Sequence, residues 1–84
     1  MYLYYSLPNM IKALERVYLL EDLTGTAFVK GDVGTVVAVY PNQKGYEVEF
    51  FALDGTSLGV ETVLAHQVQS ANGIKKVLHI DIAA

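Results

Sequence analysis

Residues 46–53 (YEVEFFAL) alternate. Tyr46, Val48 and Phe50 fall on one side of an extended chain, and Glu47 and Glu49 fall on the other. That period of two is what a strand with one buried and one wet face requires. Asp54-Gly55 follows directly and is a hairpin-turn pair. Residues 57–64 (SLGVETVL) resume the β pattern, with Gly59 expected at a bulge. Upstream, residues 30–40 (KGDVGTVVAVY) place Gly31 and Gly34 before a valine-rich run. Glycines there signal a sharp bend, a bulge or a close backbone approach. Residues 41–45 (PNQKG) then form a turn in which Gly45 can take positive φ.

The flanks extend this picture. Residues 15–20 (ERVYLL) read as the first strand, and residues 21–30 as a loop of about ten residues, long for a strand connection. Loops of that length often carry binding surfaces. Residues 65–68 read as a short 3₁₀ turn, residues 70–73 as a further turn, and residues 76–82 (KVLHIDI) as the fifth strand. At the start, Tyr2, Tyr4 and Tyr5 crowd an apolar lead-in. Ser6-Leu7-Pro8-Asn9 is either a breaker or a cap with Pro8 at the first helical position, so residues 9–14 are a short helix or part of an arm. Five short strands without a helical period predict an all-β fold, a small five-stranded SH3-like barrel over residues 14–84. A partly ordered N-terminal arm, residues 1–13, precedes it.

Three stretches carry a family resemblance: Leu19-Leu20-Glu21-Asp22-Leu23, then the run from Gly31 to Tyr40 (GDVGTVVAVY), then Tyr46-Glu47-Val48-Glu49-Phe50 before the Asp-Gly turn. In that order they resemble a family of short bacterial and cyanobacterial SH3-like domains of unknown function. The resemblance covers roughly residues 14–82, with Leu78-His79-Ile80 also familial in character. It implies the fold and brings no activity with it. A looser similarity reaches SH3-like barrels that bind RNA in ribosome and transcription factors, and accessory subunits that dock partners in photosynthetic electron-transfer complexes. Such analogy carries little about function.

Composition narrows the function classes. An 84-residue chain is one domain, and it buries only roughly 60–65% of its unfolded surface. A core that thin leaves little room for a deep internal site. The chain is 52% hydrophobic and 18% charged, yet no apolar run reaches the roughly 18 residues of a membrane span. Nor does the N-terminus read as a signal peptide. High apolarity without a span predicts well-buried strands or an adhesive surface that meets a protein partner. The absence of cysteine excludes disulfides and thiolate chemistry, and fits a cytoplasmic setting. The net charge is −3, and the bases Lys12, Arg16, Lys30, Lys44, Lys75 and Lys76 are scattered. Nucleic-acid binding draws on clustered bases, which argues against that partner.

Candidate chemistry is sparse. His79 and Asp81 share one face of the expected fifth strand, but with His66 as the one other histidine they fall short of a zinc set. Glu47 and Glu49 share a face that alternation turns to water, where paired carboxylates do no acid–base work. Gly31 and Gly34 precede a strand, not the helix a phosphate loop needs. Ser6, Ser57 and Ser70 lack a nucleophile-elbow context. The expectation is therefore no catalytic residue, no metal and no cofactor. Partner-binding candidates are the aromatic residues Tyr18, Phe28, Tyr40 and Phe51, with the N-terminal tyrosines. Phe51 either points outward beside the glutamates or is buried by a bulge. Function is expected in a non-catalytic interaction module, an accessory subunit or neutralising partner; the alternative is an RNA-binding SH3-like barrel. Monomer and homodimer are both open.

Overall fold

The computed structural model describes residues 10–71. Five antiparallel strands form one sheet: β1 (Arg16–Leu19), β2 (Val33–Val39), β3 (Gly45–Phe51), β4 (Ser57–Leu64) and β5 (Val68–Ser70), in the order β4-β3-β2-β1-β5. The first four strands lie where the hydrophobic pattern predicts them. The fifth strand of the sheet comes earlier than expected, at Val68–Ser70, so Ser70 is a strand residue and not part of a turn. The segment 76–82 and the N-terminal tyrosines lie outside the described residues. Residues 10–14 are not helical; the chain turns at Ala13 and Leu14, and Leu14 takes φ 72°.

The sheet cannot be flat. Strands β4 and β5 stand at opposite edges, yet only the 3₁₀ turn Ala65–Gln67 joins them. A flat sheet of this width would hold its edges about 19 Å apart. Four residue steps in a 3₁₀ turn advance only about 8 Å. The sheet therefore curls on itself, and the inside of the curl is the core. Val17 and Leu19, Val36, Tyr46, Val48 and Phe50, Val63 and Val68 come from the five strands. Ile11 and Leu23 complete the cluster from flanking segments, so packed structure already includes Ile11.

Two bulges adjust which side chains face inward. Val36 pairs with Val48 but Ala38 pairs with Glu47, which leaves Val37 as the extra residue in β2. The inserted residue shifts the parity, so Val36 and Val39 face inward although three positions apart, while Val37 and Ala38 are exposed. In β4, Phe50 pairs with Gly59 and Phe51 with Ser57. The bulge expected at Gly59 is present, with φ +130° at that glycine.

Two glycines are needed for space. A Cβ at Gly34 would lie 2.5 Å from Val48 Cγ1 and 2.8 Å from the Glu49 carbonyl oxygen. A Cβ at Gly45 would lie 2.7 Å from the Val63 carbonyl oxygen. Gly45 does not use the positive φ open to a glycine. Asn42 (φ 62°) and Gln43 (φ 57°) do so instead, in a 3₁₀ turn over Pro41–Gln43, and Gly45 is already strand. Close approach of β3 to β4 is what that position demands.

Candidate functional site

The outer face of the curled sheet holds the functional candidates other than Phe28. Antiparallel register sets them in rows. Glu49 lies between Val60 on β4 and Thr35 on β2, and Thr35 faces Arg16 on β1. Glu47 lies between Thr62 and Ala38. One step along, Phe51 lies beside Ser57, and the Gly34–Phe50 pairing brings Val33 alongside Phe51. Val33 in turn faces Tyr18, which faces Gln69.

The glutamates are neither loose nor buried. Glu47 Oε2 accepts hydrogen bonds from Thr62 Oγ1 (2.6 Å) and from the Tyr40 hydroxyl. Glu49 Oε2 accepts one from Ser57 Oγ (2.7 Å). Hydroxyls on β4 thus draw both carboxylates toward the β4 side. The Thr62 bond, then the Tyr40 bond, holds the Glu47 carboxyl below its ordinary value. The same Glu47 contact raises the Tyr40 phenol. On the inner side, burial raises the Tyr46 phenol, whose hydroxyl donates to Gln43 Oε1 at 2.9 Å.

The four aromatic candidates part company. Tyr18 and Phe51 share one outer-face row with Val33 between them. Phe51 is 42% exposed and Val33 48%, while Tyr18 is half-buried. Phe51 thus points outward. The bulge falls in the opposing strand and does not bury it. Tyr40 sits at the far end of β3, engaged with Glu47. Phe28, in the β1–β2 connection, stacks on Phe50 with ring centroids 4.2 Å apart and packs against the core.

Sequence reasoning missed Val33, Leu58 and Val60, all exposed apolar residues of the sheet. For Val33 a signal was available, because it alternates with the inward Gly34 and Val36. Val60 is exposed because its register with Glu49 turns it to the outer face, and Leu58 because it is the extra residue of the bulge; neither the register nor the bulge's effect on facing is written locally.

The other candidate chemistry is placed as follows. His66 is exposed in the 3₁₀ turn Ala65–Gln67, and His79 and Asp81 lie outside the described residues. Among the described residues, no three His, Asp or Glu side chains gather into a metal-holding group. Ser70 Oγ donates to Glu15 Oε2 at 2.7 Å, which ties β5 to the turn before β1. No helix among the described residues is long and apolar enough to cross a membrane. No curated protein matches the chain. Residues 13–70, more than half of the chain, match the model of the family described as Domain of unknown function (DUF4926), and the protein belongs to that family.

Proposed function

We propose that this domain acts through its surface, as a non-catalytic protein-interaction module: an accessory subunit or neutralising partner of another bacterial protein, built on an SH3-like barrel. One observation carries the reading. Tyr18, Val33 and Phe51 form an apolar row across the outer face of three adjacent strands, with Val33 and Phe51 substantially open to water. Leaving such side chains exposed forgoes about 1.5–3 kcal/mol of burial for each large one. Aromatic residues on a rigid sheet lose little freedom when a partner covers them, and they anchor interfaces. Phe50, one residue away, is 2% exposed, so the fold has already filled its core with the neighbouring ring.

The test is purification of the tagged full chain at native level from its own cell, beside a Phe51→Ser variant. The expected result is one stoichiometric protein with the wild type and its loss with the variant. A wild-type chain that runs alone, or an RNA that copurifies in place of a protein, overturns the reading.

A further inference from the structure

Strand β4 is an edge strand of unusual chemistry. Among the described residues it hydrogen-bonds one neighbour, β3. The Ala65 N–H donates to the Lys44 carbonyl at 3.0 Å, and register is continuous from Leu64 back to Gly59. Alternation then turns the backbone groups of Val63, Glu61 and Gly59 toward β3 and those of Leu64, Thr62 and Val60 toward the open edge. The Leu64 N–H is taken by Gln67 Oε1 at 2.8 Å. Thr62 and Val60 have no described strand beside them. Long apolar edges invite strand addition unless they are blunted, commonly by lysine or proline. This one carries neither, its bulge at Leu58 and Gly59 lies outside the regular stretch from Val60 to Leu64, and it exposes Leu58, Val60 and Leu64.

Charge states what would be added. Residues 45–71 contain Glu47, Glu49, Asp54 and Glu61 and not one lysine or arginine. All four bases of the described residues, Lys12, Arg16, Lys30 and Lys44, precede β3. Glu47 and Glu49 stand two residues apart, about 7 Å along the strand. Their carboxylates lean toward β4 through Thr62 and Ser57. A strand added at Val60 and Thr62 would project alternate side chains over the same outer face. From there, long basic side chains reach across Val60 and Thr62 to these two carboxylates.

We infer that the β4 edge takes up an extended basic segment of a partner protein by strand addition, with lysine or arginine at alternate positions set against Glu47 and Glu49. This deepens the interaction reading and rests on it only for the existence of a partner. Backbone pairing supplies the affinity in such complexes, and alternate side chains supply the selectivity. An open groove of about 400 Å³ between Tyr40, Lys44, Thr62 and Leu64 continues the edge, and its Lys44 sets the limit of the acidic stretch, so the basic positions of the segment lie over Val60 and Thr62 and not in the groove.

The probe is a capped peptide alternating lysine and threonine, titrated into the isotope-labelled full chain and followed by amide NMR and hydrogen exchange. The largest shifts and the slowed exchange are expected at Val60 and Thr62, with binding weakened by salt. Glu47→Gln and Glu49→Gln should each weaken binding roughly two- to fivefold, the range of exposed ion pairs. Shifts centred elsewhere, or none up to the solubility of the peptide, overturn the inference. So does equal binding by a backbone N-methylated peptide of the same charge, because that would be attraction without strand pairing. A native partner lost with Phe51→Ser, together with a peptide that never touches β4, would keep the interaction reading and discard this one.

Discussion

The two faces of β3 put neighbouring residues of similar chemistry to opposite uses. Inward, Tyr46, Val48 and Phe50 are 1%, 0% and 2% exposed and pack against every other strand's contribution to the core. Outward, Glu47, Glu49 and Phe51 alternate with them, the glutamates held by hydroxyls of β4 and the ring left in water. The inner face is satisfied by the fold alone. The outer face is organised, with carboxylates oriented and apolar side chains aligned in a row, but nothing within the described residues completes it. A sheet this small has one core to fill, so apolar residues beyond that core's capacity stand where a second molecule can reach them.

The hardest blow to this contrast comes from the paired phenylalanines. Phe50→Ala should destabilise the domain by about 3–5 kcal/mol, since it removes a buried ring that also stacks on Phe28. Phe51→Ala should change stability by about 0.5 kcal/mol or less. Urea unfolding of both variants measures the difference, and equal losses would erase the distinction between the faces.

Next in size is Gly34→Ala. Its methyl would enter the inner face against Val48 Cγ1 and the Glu49 carbonyl. About 1–3 kcal/mol is expected for such overpacking. Thr35→Ala, one residue along and turned outward, should cost about 0.5 kcal/mol or less. Chemical denaturation of the pair sharpens the contrast within β2; a harmless Gly34→Ala would show that β2 and β3 can separate freely.

The smallest effect is the acid response of the outer face. The Glu47 carboxyl lies below its ordinary 4.5 because Thr62 and then Tyr40 donate to it. A carboxyl lowered in the folded state contributes stability that is fully present above 4.5 and fades as pH falls through its folded value. The stability gap between wild type and Glu47→Gln should therefore be constant near neutrality and close in acid. Unfolding curves collected down the acid range check this. A gap that does not change with pH would mean that the carboxylate's charge contributes nothing to the outer face.

Much of this was legible beforehand. The alternation of residues 46–50 picked out the inward set on β3, Asp54-Gly55 marked the β3–β4 turn, and Gly59 marked its bulge. Other features were misread for identifiable reasons. Gly45 looked like a turn glycine because it follows Pro41 and Lys44, but Asn42 and Gln43 absorb the left-handed turn and Gly45 clears the Val63 carbonyl. Val68–Ser70 is too short to show a period, so it read as the end of a 3₁₀ turn and the start of a further turn; the expected strand at 76–82 lies outside the described residues. Tyr18, Phe28, Tyr40 and Phe51 looked alike in the sequence, and only their neighbours separate them.

By itself, then, the sequence determined that the chain is all-β, which side of β3 is buried and where its hairpin turns, because those depend on a period of two and on local turn chemistry. The tertiary structure alone decided that Val68–Ser70 pairs with β1, that Tyr18, Val33 and Phe51 share a row, and that β4 is left at an edge. These depend on register between segments tens of residues apart, which is set by how the sheet curls around its core and is not encoded in any single segment.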